Sequence, residues 1–148
     1  MSPSRLEHFL TADGRDGAGR TFEAVLAMDD AQLEARHDFV QWLFPLTEPS
    51  AAVPGSPYLD AATLQRLRGS STARARLQAA ADRMLGFYSA TSAWRARFDH
   101  NHLRITRIIR SLRLIAGDEA AEAFRAAILA LAADAPIDAT ARRYWAQA

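Results

Sequence analysis

Residues 33–46 read Leu-Glu-Ala-Arg-His-Asp-Phe-Val-Gln-Trp-Leu-Phe-Pro-Leu, and their apolar pattern decides the expected fold. At about 100° per residue, the segment places one apolar set on one helical face and a second set on the opposite side. The first set is Leu33, His37, Val40 and Phe44, and the second is Phe39, Trp42 and Leu43. A helix that is apolar on two sides is usually central and mostly buried. The pattern therefore predicts a buried central helix that ends at Pro45.

A polar stripe remains between these two apolar faces, formed by Glu34, Asp38 and Gln41. Since a buried polar group without a hydrogen bond costs about 1–3 kcal/mol, the stripe needs partners. A second predicted helix, at about 100–115, carries Asn101 and Arg104 beside its own apolar arc. We expect these two residues to face the stripe, with a buried Glu34–Arg104 ion pair as one arrangement. A capping role at the helix start is the alternative for Asn101.

Two blocks of the sequence resemble the conserved domain of the opioid growth factor receptor family. The first block is Leu33-Glu34, His37 and Phe39-Val40-Gln41-Trp42-Leu43-Phe44-Pro45-Leu46, followed by Glu48-Pro49. The second is Met84-Leu85-Gly86-Phe87-Tyr88, Trp94, His100-Asn101, Leu103-Arg104-Ile105-Thr106-Arg107-Ile108 and Ser111-Leu112. Gly19-Arg20-Thr21 and Tyr144-Trp145 fit as well, so the resemblance runs from about Phe9 onward. Eukaryotic members are described as receptors for an opioid peptide that restrains growth, so the resemblance implies a ligand- or peptide-binding domain. This chain is similar to their compact domain and not to their long repetitive tails.

Composition narrows the classes of chemistry that the chain can perform. Its 148 residues, 49% of them hydrophobic, suit one domain with an ordinary core. The absence of cysteine excludes disulfides and thiolate metal sites and suits a reducing cytoplasm. All 18 basic residues are arginine, which excludes a P-loop lysine and a Schiff-base lysine. Arginine without lysine, together with abundant alanine, is typical of a GC-rich bacterial genome.

Charge and hydropathy give no sign of a membrane or nucleic-acid protein. The net charge is +1, which creates no general attraction to phosphate or acidic lipid. The N-terminus lacks the basic start and apolar run of a signal peptide. No apolar stretch approaches the roughly 18–20 residues of a membrane span. We therefore expect a cytoplasmic domain with no membrane span.

The pattern of caps and apolar spacing predicts an all-α fold, a compact single-domain bundle of six or seven helices occupying residues 1–148. The predicted helices lie at about 22–28, 30–44, 60–68, 71–88, 99–115, 118–131 and 136–145. Their expected N-caps include Asp29 in a capping box with Gln32, then Asp60, Ser70 or Ser71, Asp99 and Asp138. Residues 1–20 are expected to be loop-rich, with a glycine-rich turn at 11–19. Residues 45–57 hold four prolines and form a long connecting loop of the kind that often edges a binding site.

His37 has two interpretations. Its place among apolar residues favours a hydrogen-bonded core histidine. The alternative joins it to His100 or His102 as ligands of a metal, with Glu34 or Asp38 completing the set. Because residues two apart do not share a helical face, the His-x-His at 100–102 is a weak metal signal. We therefore predict neither a metal site nor a cofactor.

Four arginines recur every third residue along the helix at about 100–115 and sweep about half of its circumference. They are Arg104, Arg107, Arg110 and Arg113, and Arg66, Arg68, Arg74 and Arg76 lie nearby in the sequence. Arg107 and Arg110 are expected to point outward. Acidic residues nearly balance the charge and no nucleic-acid module is present, so a solvated, salt-bridged face is favoured. Phosphate binding is the alternative.

The leading hypothesis is a non-enzymatic domain that binds a small molecule or peptide. Its groove is expected between the two motif helices, edged by the proline-containing loop. The candidate ligand-binding residues are Glu34, His37, Asp38, Gln41, Trp42, His100, Asn101 and Arg104. A nucleic-acid or anionic-partner module that uses the arginine face is the second hypothesis. An enzyme acting through Glu34, His37 and Asn101 is the third, although no nucleophile motif is present and no catalytic residue is assigned.

Overall fold

Helices form where the sequence supplies caps and apolar faces, and together they build an all-α protein. The computed structural model of the protein describes residues 4–148. Its helices are α1 (Arg5–Thr11), α2 (Phe22–Leu26), α3 (Asp30–Ala35), α4 (Val40–Leu43), α5 (Ala61–Arg68), α6 (Ser71–Ala90), α7 (Asn101–Ile115), α8 (Asp118–Leu131) and α9 (Ala139–Gln147), with a 3₁₀ turn at Ala93–Arg95. An isolated antiparallel bridge joins Arg15 to Thr21, and no strand forms within residues 4–148. The predicted fold class is confirmed.

Four of the nine helices, α3, α5, α6 and α9, begin at polar residues that the sequence marks as caps. Asp29 accepts a hydrogen bond from the Gln32 backbone N–H at 2.8 Å, and the Gln32 side chain accepts one from the Asp29 N–H at 3.0 Å. This is the predicted capping box of α3. Asp60, Ser70 and Asp138 accept from backbone N–H groups at the starts of α5, α6 and α9. Such caps are local, and each stabilises its helix by about 1 kcal/mol.

The predicted continuous helix over 30–44 is wrong, because the chain breaks it into α3 and α4. Arg36 is extended, with φ −88° and ψ 138°, and residues 36–39 connect two short helices. Arg104 supplies the physical reason for the break. Its guanidinium donates to the carbonyls of Leu33 and Arg36, so these groups do not need partners from a continuing helix. The two apolar faces and the polar stripe therefore do not lie along one helix.

A second difference lies near the N-terminus, where the sequence predicts a loop-rich segment and the structure contains helix α1. Ser4 caps this helix by accepting from the Glu7 N–H at 3.2 Å, and Leu6, Phe9 and Leu10 are buried against the core. With α1 and the broken helix, the part of the chain that the structure describes has nine α-helices rather than six or seven. Residues 1–3 of the expected loop-rich segment lie outside the described residues.

Helix α7 forms the centre of the core and holds both halves of the candidate site in place. Ile105, Ile108 and Leu112 on its buried face are fully inaccessible to solvent. Helices α5, α6, α8 and α9 pack around α7. Trp145 on α9 is fully buried and donates from its indole N–H to the His102 carbonyl at 3.0 Å, which closes the bundle. Among the described residues, no helix is both long enough and apolar enough to cross a bilayer.

Candidate functional site

Asn101, the first residue of α7, connects three polar side chains from separate parts of the chain. Its fully buried amide donates from Nδ2 to Glu34 at 3.0 Å and to Asp99 at 2.9 Å. Its Oδ1 accepts a hydrogen bond from the Tyr88 hydroxyl at 3.1 Å. Burial raises the pKa of Tyr88 far above its ordinary value, so this hydroxyl remains a donor. The expected contact between Glu34 and Asn101 is therefore present, although α3 and not a longer helix supplies it.

Arg104 lies one turn further along α7 and is only 6% exposed. It donates to the Leu33 carbonyl at 2.7 Å and to the Arg36 carbonyl at 2.5 Å, and its guanidinium lies 5.4 Å from the centre of the Phe39 ring. The expected direct ion pair with Glu34 is not formed, because these donors go to backbone carbonyls at the break. Burial lowers the pKa of Arg104, opposed by the charges around it. Arg104 therefore stabilises the backbone of the α3–α4 connection.

His37 and Asp38 lie in that connection and are exposed, so the prediction of a buried core histidine is wrong. The His37 ring lies edge-on to the His100 ring, with 5.1 Å between their centroids. Partial desolvation, together with the positive charges of Arg104 and His100, lowers the pKa of His37. Asp38 accepts a hydrogen bond from Arg20 at 2.8 Å.

Glu34, Asp99 and His100 form a compact cluster of ionisable groups beside the start of α7. One ligand-capable atom from each lies within 4.8 Å of the others, and His100 Nε2 lies 3.1 Å from Glu34 Oε1. Sequence reasoning recognised Asp99 only as a cap, although its place directly before His100 could have indicated the cluster. His102 is absent from it: the ring is buried, and its Nε2 lies 2.7 Å from the Trp94 carbonyl oxygen.

A groove of about 470 Å³ lies between α4, residues 46–53 and α7. Its lining includes the apolar side chains Val40, Leu46, Val53 and Leu103 and the polar side chains His37, Gln41, His100, Arg104, Arg107 and Arg110. Two contacts hold the loop over the groove. The Leu59 N–H donates to the Leu46 carbonyl at 2.8 Å, and Arg110 donates to Glu48 at 2.6 Å.

The structure brings only part of the predicted set of site residues to this groove. Four line it, namely His37, Gln41, His100 and Arg104. Trp42 is 8% exposed and instead meets the Phe9 ring of α1 edge-on, with centroids 5.7 Å apart. Glu34 lies in the cluster beside the groove, Asn101 donates to Glu34, and Asp38 forms an ion pair with Arg20.

Arg107 is the main correction to the predicted solvent-facing arginines. Its Nε donates to the Phe44 carbonyl at 2.8 Å, while its Nη2 is buried and has no hydrogen-bond partner. Burial lowers the pKa of Arg107 to about 10. No carboxylate among residues 4–148 forms an ion pair with it, and Glu48, whose charge favours the protonated form, is bonded to Arg110. No local pattern in the sequence indicates this burial, because it depends on how residues 46–53 fold over α7.

Gln41 provides a second unpaired polar atom in the lining of the same groove. The residue is 6% exposed, and its Oε1 is buried without a donor. A larger and more open concavity of about 660 Å³ lies beyond α7, lined in part by Phe98, Leu103 and Tyr144. None of the buried unpaired side-chain atoms found in the described part of the chain belongs to that concavity. Of the two concavities, the smaller groove is therefore the one lined by buried polar atoms that have no hydrogen-bond partner.

The other arginines of α7 are largely neutralised, as the expectation of a salt-bridged face requires. Arg110 pairs with Glu48 at 2.6 Å, and Arg113 pairs with Asp118 at 3.0 Å and with Glu122 at 3.2 Å. A phosphate-binding surface needs positive charges that are free to displace counterions. This face offers few of them.

Comparison with known proteins identifies a family through the region that contains the two motif blocks. The family model described as the opioid growth factor receptor (OGFr) conserved region matches residues 19–134. The chain therefore belongs to the family defined by this conserved region, as its sequence resemblance predicted.

Curated relatives match over part of the chain. The opioid growth factor receptors of Rattus norvegicus and Mus musculus are each 38% identical over 98 residues, covering 54% of this chain and 17% and 15% of the relatives. The opioid growth factor receptor of Homo sapiens is 35% identical over 98 residues, covering 54% of this chain and 14% of the relative. The matched region thus spans less than a fifth of each relative. No solved structure matches the chain significantly.

Proposed function

We propose that this domain is a non-enzymatic binding module whose ligand occupies the groove between α4, residues 46–53 and α7. The buried Nη2 of Arg107, which has no hydrogen-bond partner, carries the proposal. Burying a charge without a partner costs several kcal/mol, and an anionic group on a ligand would offset that cost. The preferred ligand therefore presents a carboxylate or a similar anion to Arg107 Nη2, which has no partner in the described part of the chain.

Gln41 adds a second requirement, because its buried oxygen accepts no hydrogen bond. A ligand N–H would satisfy this oxygen, and the apolar walls of the groove would cover an apolar side chain. A carboxylate, an N–H and an apolar side chain occur together in the C-terminal residue of a peptide. The names of the rat, mouse and human relatives describe receptors of an opioid growth factor, which supports a peptide as the class of ligand.

Ligand entry requires residues 46–53 to move, since the free atoms of both Gln41 and Arg107 are covered in the unbound domain. The Arg110–Glu48 ion pair and the hydrogen bond from Leu59 to Leu46 hold this loop closed. The pair is solvent-exposed on both sides and contributes little to stability, so the loop can open at small cost. We therefore propose that residues 46–53 act as a cover over the bound ligand.

The test is isothermal titration with an opioid growth factor peptide in two forms, with a free and with an amidated C-terminus. We expect the free acid to bind at least tenfold more tightly than the amide. The substitution Arg107→Gln should abolish that difference. Arg143→Gln, on the exposed face of α9, is the matched control and should preserve the preference for the free acid. Equal affinity for the two peptide forms, or unchanged preference in Arg107→Gln, would contradict the proposal.

Two weaker proposals remain. A nucleic-acid partner would require the arginine face, whose charges are mostly paired. Catalysis through Glu34, His37 and Asn101 would require a free amide, but both Asn101 amide hydrogens are used within the protein. We also propose a cytoplasmic location, supported by the absence of cysteine.

A further inference from the structure

We propose that Glu34, Asp99 and His100 bind a divalent transition-metal ion at the mouth of the groove. Their ligand-capable atoms lie within 4.8 Å of one another, and His100 Nε2 lies 3.1 Å from Glu34 Oε1. Bonds of about 2.1 Å place two ligands roughly 3–4 Å apart around one ion. Only small side-chain rotations are therefore needed to bring the three atoms to a common centre.

The buried amide of Asn101 orients both carboxylates before any ion arrives. Asn101 Nδ2 donates to Glu34 Oε2 at 3.0 Å and to Asp99 Oδ1 at 2.9 Å, which leaves a second oxygen on each carboxylate. The Tyr88 hydroxyl, also buried, fixes the amide from the other side. Metal sites use such hydrogen bonds, from residues behind the ligands, to position the ligands. A surface cluster that forms by chance does not require a fully buried amide to hold its carboxylates in place.

The donor set selects the class of ion. One imidazole nitrogen and two carboxylates suit zinc, manganese, iron or cobalt better than calcium, which prefers oxygen alone. The His37 ring, 5.1 Å from that of His100, places a second imidazole beside the cluster. The positive charge of Arg104 disfavours cation binding nearby. Its guanidinium, however, donates to the carbonyls at the α3–α4 break, and the two carboxylates carry more negative charge than Arg104 carries positive charge.

Access also fits an ion with open coordination positions. The side chains of Glu34 and His100 are 37% and 40% exposed, so an ion can enter from solvent and keep water on its outer side.

The test is a titration of the metal-free protein with zinc chloride at pH 7.5, followed by calorimetry, and with cobalt chloride, followed by visible absorbance. We expect one ion per chain with micromolar affinity for zinc and cobalt bands that zinc abolishes. His100→Ala and Glu34→Gln should each weaken zinc binding at least tenfold. Thermal melts of the metal-free variants should stay within a few degrees of the parent, because both side chains are exposed.

His8→Ala provides the matched control, since His8 is an exposed histidine on α1. It should bind zinc like the parent. Parent-like zinc affinity in His100→Ala, or no binding by the parent, would overturn the proposal. Arg107→Gln should keep the metal while losing the peptide preference, so failure of the metal site and failure of the groove are distinguishable.

Discussion

Removal of the Arg104 guanidinium should disrupt the connection between the two motif helices. Arg104→Met keeps much of the buried side-chain volume but loses the two charge-assisted hydrogen bonds to the Leu33 and Arg36 carbonyls. At about 1.5–3 kcal/mol each, these bonds sum to roughly 3–6 kcal/mol. Relief from burying a charge offsets part of this loss. We expect a net destabilisation of about 3 kcal/mol, or roughly 6–12 °C in melting temperature for a domain of this size.

Urea unfolding followed by tryptophan fluorescence measures this effect. Arg104→Lys should give an intermediate loss of stability, because the ammonium group of lysine lacks the planar arrangement of donors with which the guanidinium bonds both carbonyls. Arg143→Met on the exposed face of α9 is the control and should stay within about 0.5 kcal/mol of the parent. If Arg104→Met unfolds within about 1 kcal/mol of the parent, or Arg104→Lys matches the parent, the guanidinium does not hold the break.

Other predictions follow from the buried aromatics and from the groove. Trp42→Ala and Phe44→Ala should each destabilise the domain by about 3–5 kcal/mol in the same assay, and a loss below about 1 kcal/mol would contradict their burial. Without ligand, Arg107→Gln should raise stability by about 1 kcal/mol in thermal melts, because the amide can still donate to the Phe44 carbonyl while the buried charge is removed; a loss of similar size would contradict this. Despite partial desolvation, hydrogen bonds and charge from Arg110 hold the pKa of Glu48 below its ordinary value, so the stability from this pair is present above that value and is lost as pH falls through the lower, folded-state pKa. The protection of the Leu59 amide, relative to its intrinsic exchange rate at each pH, should therefore fall as pH falls through the folded-state pKa of Glu48, and unchanged protection would refute this role of the pair. Replacing Arg107 and Arg110 together by Gln should leave nucleic-acid retention at background in filter binding, whereas micromolar binding at physiological salt that the double variant loses would favour the phosphate-binding alternative.

Features that depend on neighbouring residues could be predicted from the sequence. Asp29 and Gln32 form their capping box because both partners lie within one helical turn, and the caps at Asp60 and Ser70 follow the same rule. Helices α5, α6 and α9 therefore begin close to their predicted positions. The break after α3 could not be predicted in this way, because its stabilising donors come from Arg104, far along the chain.

The candidate site shows the same division between local and distant information. The position of polar residues inside apolar arcs led to the correct prediction that Asn101 contacts Glu34. Helical periodicity predicts that Arg107 faces outward. However, residues 46–53, an irregular loop, fold over that side of α7, and the Nη2 atom of Arg107 is buried. His37 was placed in the core only because the helix was assumed to continue. Each error came from a contact between segments that no local pattern encodes.

The hydrogen bonds that stabilise the α3–α4 break also determine when it forms during folding. They join residues 67 positions apart for Asn101 and Glu34 and 71 positions apart for Arg104 and Leu33. Closing so long a segment costs chain entropy before any contact offsets it, whereas α5 and α6 meet through a short turn. We therefore expect the break to form late in folding, after α7 has docked.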